Sequence, residues 1–155
     1  VIPGRRRAFR FQGQPVRFVP LKRAFIFGRV AQPLERGSFY VSDREKTLLD
    51  GLLFPEYSGG VSEVAKALPS ARREIRWTRL LAYERRLGVD AVGRRLGYLL
   101  ELLDLEPSVR RRLGRDVSGF RWLDPSAPKL RLGYCQRWGL ILNVEPSELR
   151  EGGGI

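Results

Sequence analysis

The stretch VSDREKTLLDGLLFPEYSGGVSEVAKAL, Val41–Leu68, decides the fold class. Ser42-Asp43-Arg44-Glu45 has the form of a capping box, with Ser42 as the cap and Glu45 bonding back to its backbone. Leu48, Leu49, Leu52 and Leu53 then recur at helical spacing and predict one buried stripe. Pro55 ends this helix, and Ser58-Gly59-Gly60 makes a turn. Val61, Val64, Ala65 and Leu68 predict a second short helix, stopped by Pro69.

Upstream of this block the pattern is that of strands. Arg5–Phe11, Val16–Val19, Phe25–Val30 and Ser38–Val41 are rich in aromatic and β-branched residues and are separated by Gly and Pro. Downstream, a third helix is expected over Arg73–Leu87, with Gly88 as its terminator. A fourth is expected from a cap at Asp90 to Leu103, with Val92, Leu96, Leu99, Leu100 and Leu103 as its stripe. On it, Gly93 and Gly97 sit one turn apart and predict close approach of a neighbouring element. Pro107 opens a fifth, ending near Leu113. Strand character returns at Phe120–Leu123, Leu130–Tyr134 and Trp138–Val144.

The order of strands, helices and strands lacks βαβ alternation and predicts an α+β fold. The expected architecture has N-terminal antiparallel strands, a central block of four to five helices on one face, and C-terminal strands returning to the first sheet. Residues 1–150 read as one domain and 151–155 as a flexible tail. The chain has 155 residues and no Met, and it begins Val1-Ile2-Pro3. That start reads as a fragment lacking an upstream domain.

Composition limits the chemistry. With no His and a single Cys, the chain has neither the ligands of a common structural zinc site nor the imidazole of a Ser-His-Asp or Cys-His centre. One Cys suits a reducing cytoplasm, and Cys135, in an apolar strand, reads as an inert buried thiol. There is no apolar run of membrane-spanning length and no P-loop, so no membrane contact and no cofactor are expected. Asp43, Glu45 and Asp50 could serve a metal-dependent nuclease if they converged, but two of them lie in the first turn of a helix, where acids favour the dipole. Ser58-Gly59-Gly60 could cradle an anion but reads better as the start of a helix. A non-enzyme is the expectation.

The net charge of +12 comes from 25 arginines and four lysines against 17 acids. Arg is suited to phosphate by its planar fork, although a GC-rich genome also enriches it. Its placement is therefore the useful signal. Arg5, Arg6 and Arg7 stud the first strand with Arg10. Arg72 and Arg73 start the third helix, where Arg76, Arg79 and Arg86 share a face with Tyr83, angularly clear of the leucines. Arg94 and Arg95 follow, then Arg110, Arg111, Arg112 and Arg115. These rows have few counter-charges and predict contact with nucleic-acid phosphates, which position a protein without reading sequence. The candidate binding residues are Arg5, Arg6, Arg7, Arg72, Arg76, Arg79, Arg86, Arg94, Arg110 and Arg111.

Four blocks carry a family resemblance: Val41–Asp50, Pro55–Gly60, Arg94–Glu101 and Arg137–Asn143. In order and spacing the chain resembles the C-terminal domain of AbiEi-type antitoxins, the transcriptional regulators of type IV toxin–antitoxin (abortive infection) systems. The resemblance implies a non-catalytic, cytoplasmic regulator domain that follows a winged-helix domain, here missing, and supports operator binding. It implies a functional toxin partner of nucleotidyltransferase type, opposed in effect rather than bound tightly. Glu45, Asp50, Gly59, Gly60, Arg95, Gly97 and Trp138 then look structural. A metal-dependent nuclease and a pure dimerisation module, a homodimer, are the competing expectations.

Overall fold

The computed structural model describes residues 7–114 and 117–150. Two antiparallel ribbons come first. β1 (Phe9–Phe11) pairs with β2 (Gln14–Val16), and β3 (Arg29–Leu34) pairs with β4 (Gly37–Ser42). A short 3-10 turn at Arg23–Phe25 separates them, inside or beside the segments expected as continuous strand. Five helices follow: α1 (Arg44–Leu53), α2 (Val61–Ala71), α3 (Trp77–Leu87), α4 (Asp90–Leu102) and α5 (Pro107–Leu113). β5 (Arg121–Trp122), β6 (Gly133–Cys135) and β7 (Leu140–Leu142) form a sheet of order β5-β7-β6, and α6 (Pro146–Arg150) closes the described chain.

The fold is α+β, as the element order predicts, but its sheet is divided. The C-terminal strands do not return to the first strands; they build their own three-stranded sheet, with β5 parallel and β6 antiparallel to β7. The reason lies in burial. Every residue of β3 and β4 is exposed, so neither face of that ribbon offers a core to join. In β7, by contrast, Leu140 is fully buried against the helices.

The core belongs to the helices and the C-terminal sheet. Leu49, Leu52, Leu68, Leu80, Leu96, Leu99, Leu100, Leu140 and Trp138 lie at or near zero exposure. Each such leucine contributes about 2 kcal/mol by burial. α4 runs through the middle, and nine consecutive residues, Val92–Leu100, are buried. The two small residues on it meet neighbours as expected. Gly97 lies under the Trp138 ring, which a Cβ at that position would overlap, and a Cβ at Gly93 would come within 2.6 Å of Glu84 Oε1.

Four helix boundaries differ from the pattern in the sequence, the slightest being that of α4, where Asp90 is the first helical residue and Val89 the cap. The cap of α1 is Asp43, whose Oδ1 accepts from the Lys46 N–H at 2.9 Å; Ser42 ends β4, and Glu45 accepts from the Arg76 N–H rather than from the cap, so the expected reciprocal capping box does not form. Pro69 lies within the last turn of α2, which runs on to Ala71; its ring suits helical φ, and only a hydrogen bond to the Ala65 carbonyl is forgone. α3 begins at Trp77, because the Arg76 N–H donates to Glu45 Oε1 at 2.7 Å and Ile75 is buried ahead of it. Gly88 terminates α3 in the left-handed conformation, at φ 63°.

Candidate nucleic-acid interface

The eight candidate arginines among the described residues do not form one face. Arg5 and Arg6 lie outside the described residues, as do Arg115 and the expected tail, while Arg7 is exposed. Arg94 is in the core, only 5% exposed. Its Nη1 donates to the carbonyls of Gly119 (2.8 Å) and Gly139 (3.3 Å), its Nη2 donates to that of Ser118 (3.0 Å), and its Nε is 2.7 Å from Asp90 Oδ2. A guanidinium holding three carbonyls and a carboxylate is an internal cross-brace, so Arg94 is removed from the interface. The cause is the position of α4: with neighbours on nearly all sides, its polar side chains must find protein partners.

The α3 face is partly occupied too. Arg79 lies 3.8 Å from Asp43 Oδ2 and 3.7 Å from Glu45 Oε2. The Tyr83 hydroxyl donates to Asp43 Oδ2 at 2.9 Å, and burial followed by this carboxylate raises its pKa. Arg86 places its guanidinium 4.4 Å from the centre of the Phe27 ring, which meets Tyr83 edge-on at 5.2 Å. This face is thus a seam against the start of α1 and the chain before β3, not a row clear of neighbours. Arg76 is exposed at the start of α3, and Arg72 is half-buried at the end of α2. Arg110 pairs with Asp104 at 3.2 Å, and Arg111 is exposed beside it on α5.

The carboxylates considered for metal chemistry have other roles. Asp43 caps α1 and accepts from Tyr83; Glu45 is buried and supplies the acceptor at the start of α3; Asp50 pairs with Lys46. Among the described residues no group of three or more acidic or Cys side chains is placed to hold a metal ion. The anion cradle at Ser58-Gly59-Gly60 is filled from within. Asp124 Oδ2 accepts from the Val61 N–H at 2.7 Å and so caps α2 from the far end of the chain. Its Oδ1 accepts from the N–H groups of Ser126 and Ala127 and from the Ser126 hydroxyl. Burial pushes this carboxyl up, but the hydrogen bonds outweigh it and hold the pKa below the ordinary carboxylate range.

Two further braces complete the body. Arg95 Nη1 donates to the Leu52 carbonyl at 2.7 Å, and its Nε and Nη2 donate to Trp122 O at 3.3 and 3.2 Å, joining α1 to β5 through α4. Burial lowers its pKa. Trp138 Nε1 donates to Glu101 Oε2 at 2.8 Å. Cys135 is half-buried rather than fully enclosed.

The densest exposed positive charge lies on the ribbons and their connections, although Arg73, Arg85, Arg112 and Arg131 are exposed on the helical body as well. Residues 7–42 carry seven Arg and Lys side chains against Glu35 alone, a net charge of +6, and all seven are exposed. The same segment presents exposed aromatic rings at Phe9 (50%), Phe11 (63%), Phe39 (48%) and Tyr40 (59%). Arg29 lies 4.3 Å from the centre of the Tyr40 ring. The sequence pattern places Arg7 and Arg10 here but predicts a sheet covered by the helices on one face. The signal for exposure is the interleaving of Arg with aromatics in Phe9-Arg10-Phe11.

No protein-family model, curated protein or solved structure matches this chain. No helix among the described residues is long and apolar enough to cross a membrane.

Proposed function

We propose that this chain is a non-catalytic regulator domain of a type IV antitoxin, acting in the cytoplasm and contacting DNA through phosphates. The carrying observation is the +6 segment of two ribbons, exposed on both strands of β3–β4 and nearly free of carboxylates. Such a surface attracts a polyanion and releases its counterions. The residues the antitoxin resemblance marks as structural have structural positions here: Glu45 at a helix start, Arg95 as a brace, and Gly97 beneath Trp138. In this reading operator sequence is read by another part of the regulator, and the toxin partner is opposed through its effect.

The nuclease alternative is disfavoured, because Asp43, Glu45 and Asp50 each hold a separate structural contact. The test is binding to duplex DNA of mixed sequence at about 50 and about 200 mM salt. The expected result is sequence-blind binding whose log affinity falls with log salt by about 0.9 per phosphate neutralised. No binding at the lower salt would remove the DNA role.

A further inference from the structure

We infer that the ribbons bind an unpaired DNA strand, with bases stacked on their exposed rings and phosphates held by the arginines. This rests on the proposed DNA contact and specifies the form of DNA it takes.

A surface made for phosphates alone needs only cations. This one interleaves them with rings. In β1, Phe9 and Phe11 flank Arg10 and so project to the same side of the strand, two residues apart. Their β2 partners, Val16 and Gln14, leave both rings exposed, with Phe9 in tilted contact with Phe18 at 5.9 Å. In the second ribbon, Phe39 pairs with Gln32 on one face, and Tyr40 pairs with Ala31 on the other. The Tyr40 ring already lies against the Arg29 guanidinium, an aromatic–cation pair to which a base face can be added.

Phenylalanine rings have no donors or acceptors for the base edges that a duplex groove displays, whereas every unpaired base has a π-face. Phenylalanine is costly to leave in water, and here two lie about half or more exposed on one short strand. The charge of +6 over residues 7–42 complements a phosphate backbone rather than an apolar or cationic protein surface. Together these observations favour a single strand over a duplex and over a second copy of the chain.

The test is fluorescence anisotropy with three labelled probes of about a dozen nucleotides: oligo(dT), oligo(rU) and a mixed duplex. The unmodified protein should bind oligo(dT) about tenfold more tightly than the duplex. Phe11→Ala and Phe39→Ala should each weaken oligo(dT) binding about tenfold and leave duplex binding unchanged. Tyr57→Ala, which removes an exposed ring on the helical body, should change neither. Duplex binding equal to or tighter than oligo(dT), or Phe variants without effect on it, would overturn this inference and leave the proposed DNA role standing. Loss of binding to all probes would remove both. Tighter binding to oligo(rU) than to oligo(dT) would contradict the assignment to DNA. Concentration-dependent dimers abolished by Phe39→Ala would give that face to a second copy instead. The comparison of probes on the unmodified protein decides the matter even if a variant folds poorly.

Discussion

Residues 7–42 and residues 43–150 differ in how they balance and place their charged side chains. The ribbons hold +6 in 36 residues, with every cation exposed. The body has 20 cationic side chains against 15 carboxylates, only +5 in 108 residues, and buries two of its arginines, Arg94 and Arg95. Arg94 and Arg95 bond to backbone carbonyls, and Glu45 and Asp124 cap helices to which they are not adjacent in sequence. The location of an arginine in the fold, rather than its number in the chain, therefore decides whether it can meet a ligand.

The contrast is broken most severely by filling the contact beneath Trp138. Gly97→Ala should cost at least about 3 kcal/mol, a fall of about 10 °C in Tm by calorimetry, because the added methyl overlaps a ring fixed by Glu101. Arg95→Met comes next. It leaves the Leu52 and Trp122 carbonyls without their donors and should cost about 2–3 kcal/mol in urea unfolding. Asp124→Asn should cost about 2 kcal/mol, since an amide nitrogen would face the Val61 N–H or the Ser126 N–H.

The same carboxylate gives a pH prediction. Folding holds the Asp124 pKa below its unfolded value of about 3.9. Its contribution is therefore present at neutral pH and is lost as pH falls through the lowered folded value. Acid unfolding of the unmodified protein should thus be steeper than that of Asp124→Asn. An equal acid dependence would show that Asp124 is not stabilised in this way. The smallest effect is expected on the ribbons, where Arg10→Gln and Arg29→Gln should change stability by less than about 0.5 kcal/mol.

Much of the body was legible in the sequence. The leucine stripes of α1 and α4, the Gly88 stop, Pro107 at the start of α5 and the close approach at Gly97 all follow from local rules. What could not be read is long-range. The Glu45 bond to Arg76 and the Asp124 bond to Val61 span 31 and 63 residues. No local pattern announces that a carboxylate will cap another helix. For the same reason the sequence pattern predicts Arg94 on the interface: helical angle gives the face of a residue but not the loop that packs over it, here Ser118 and Gly119. The division of the sheet was hidden because alternation predicts a strand, not the partner it will find.

The most direct measurement compares two variants in parallel for duplex DNA binding at low salt and for thermal unfolding. The double variant Arg10→Gln, Arg29→Gln should lose DNA affinity and part of its salt dependence at an unchanged Tm. Arg94→Gln should lower Tm and, below that temperature, bind DNA as the unmodified protein does. Full DNA binding by the ribbon variant, with loss confined to Arg94→Gln, would contradict the assignment of the DNA contact to the ribbons and of Arg94 to the core.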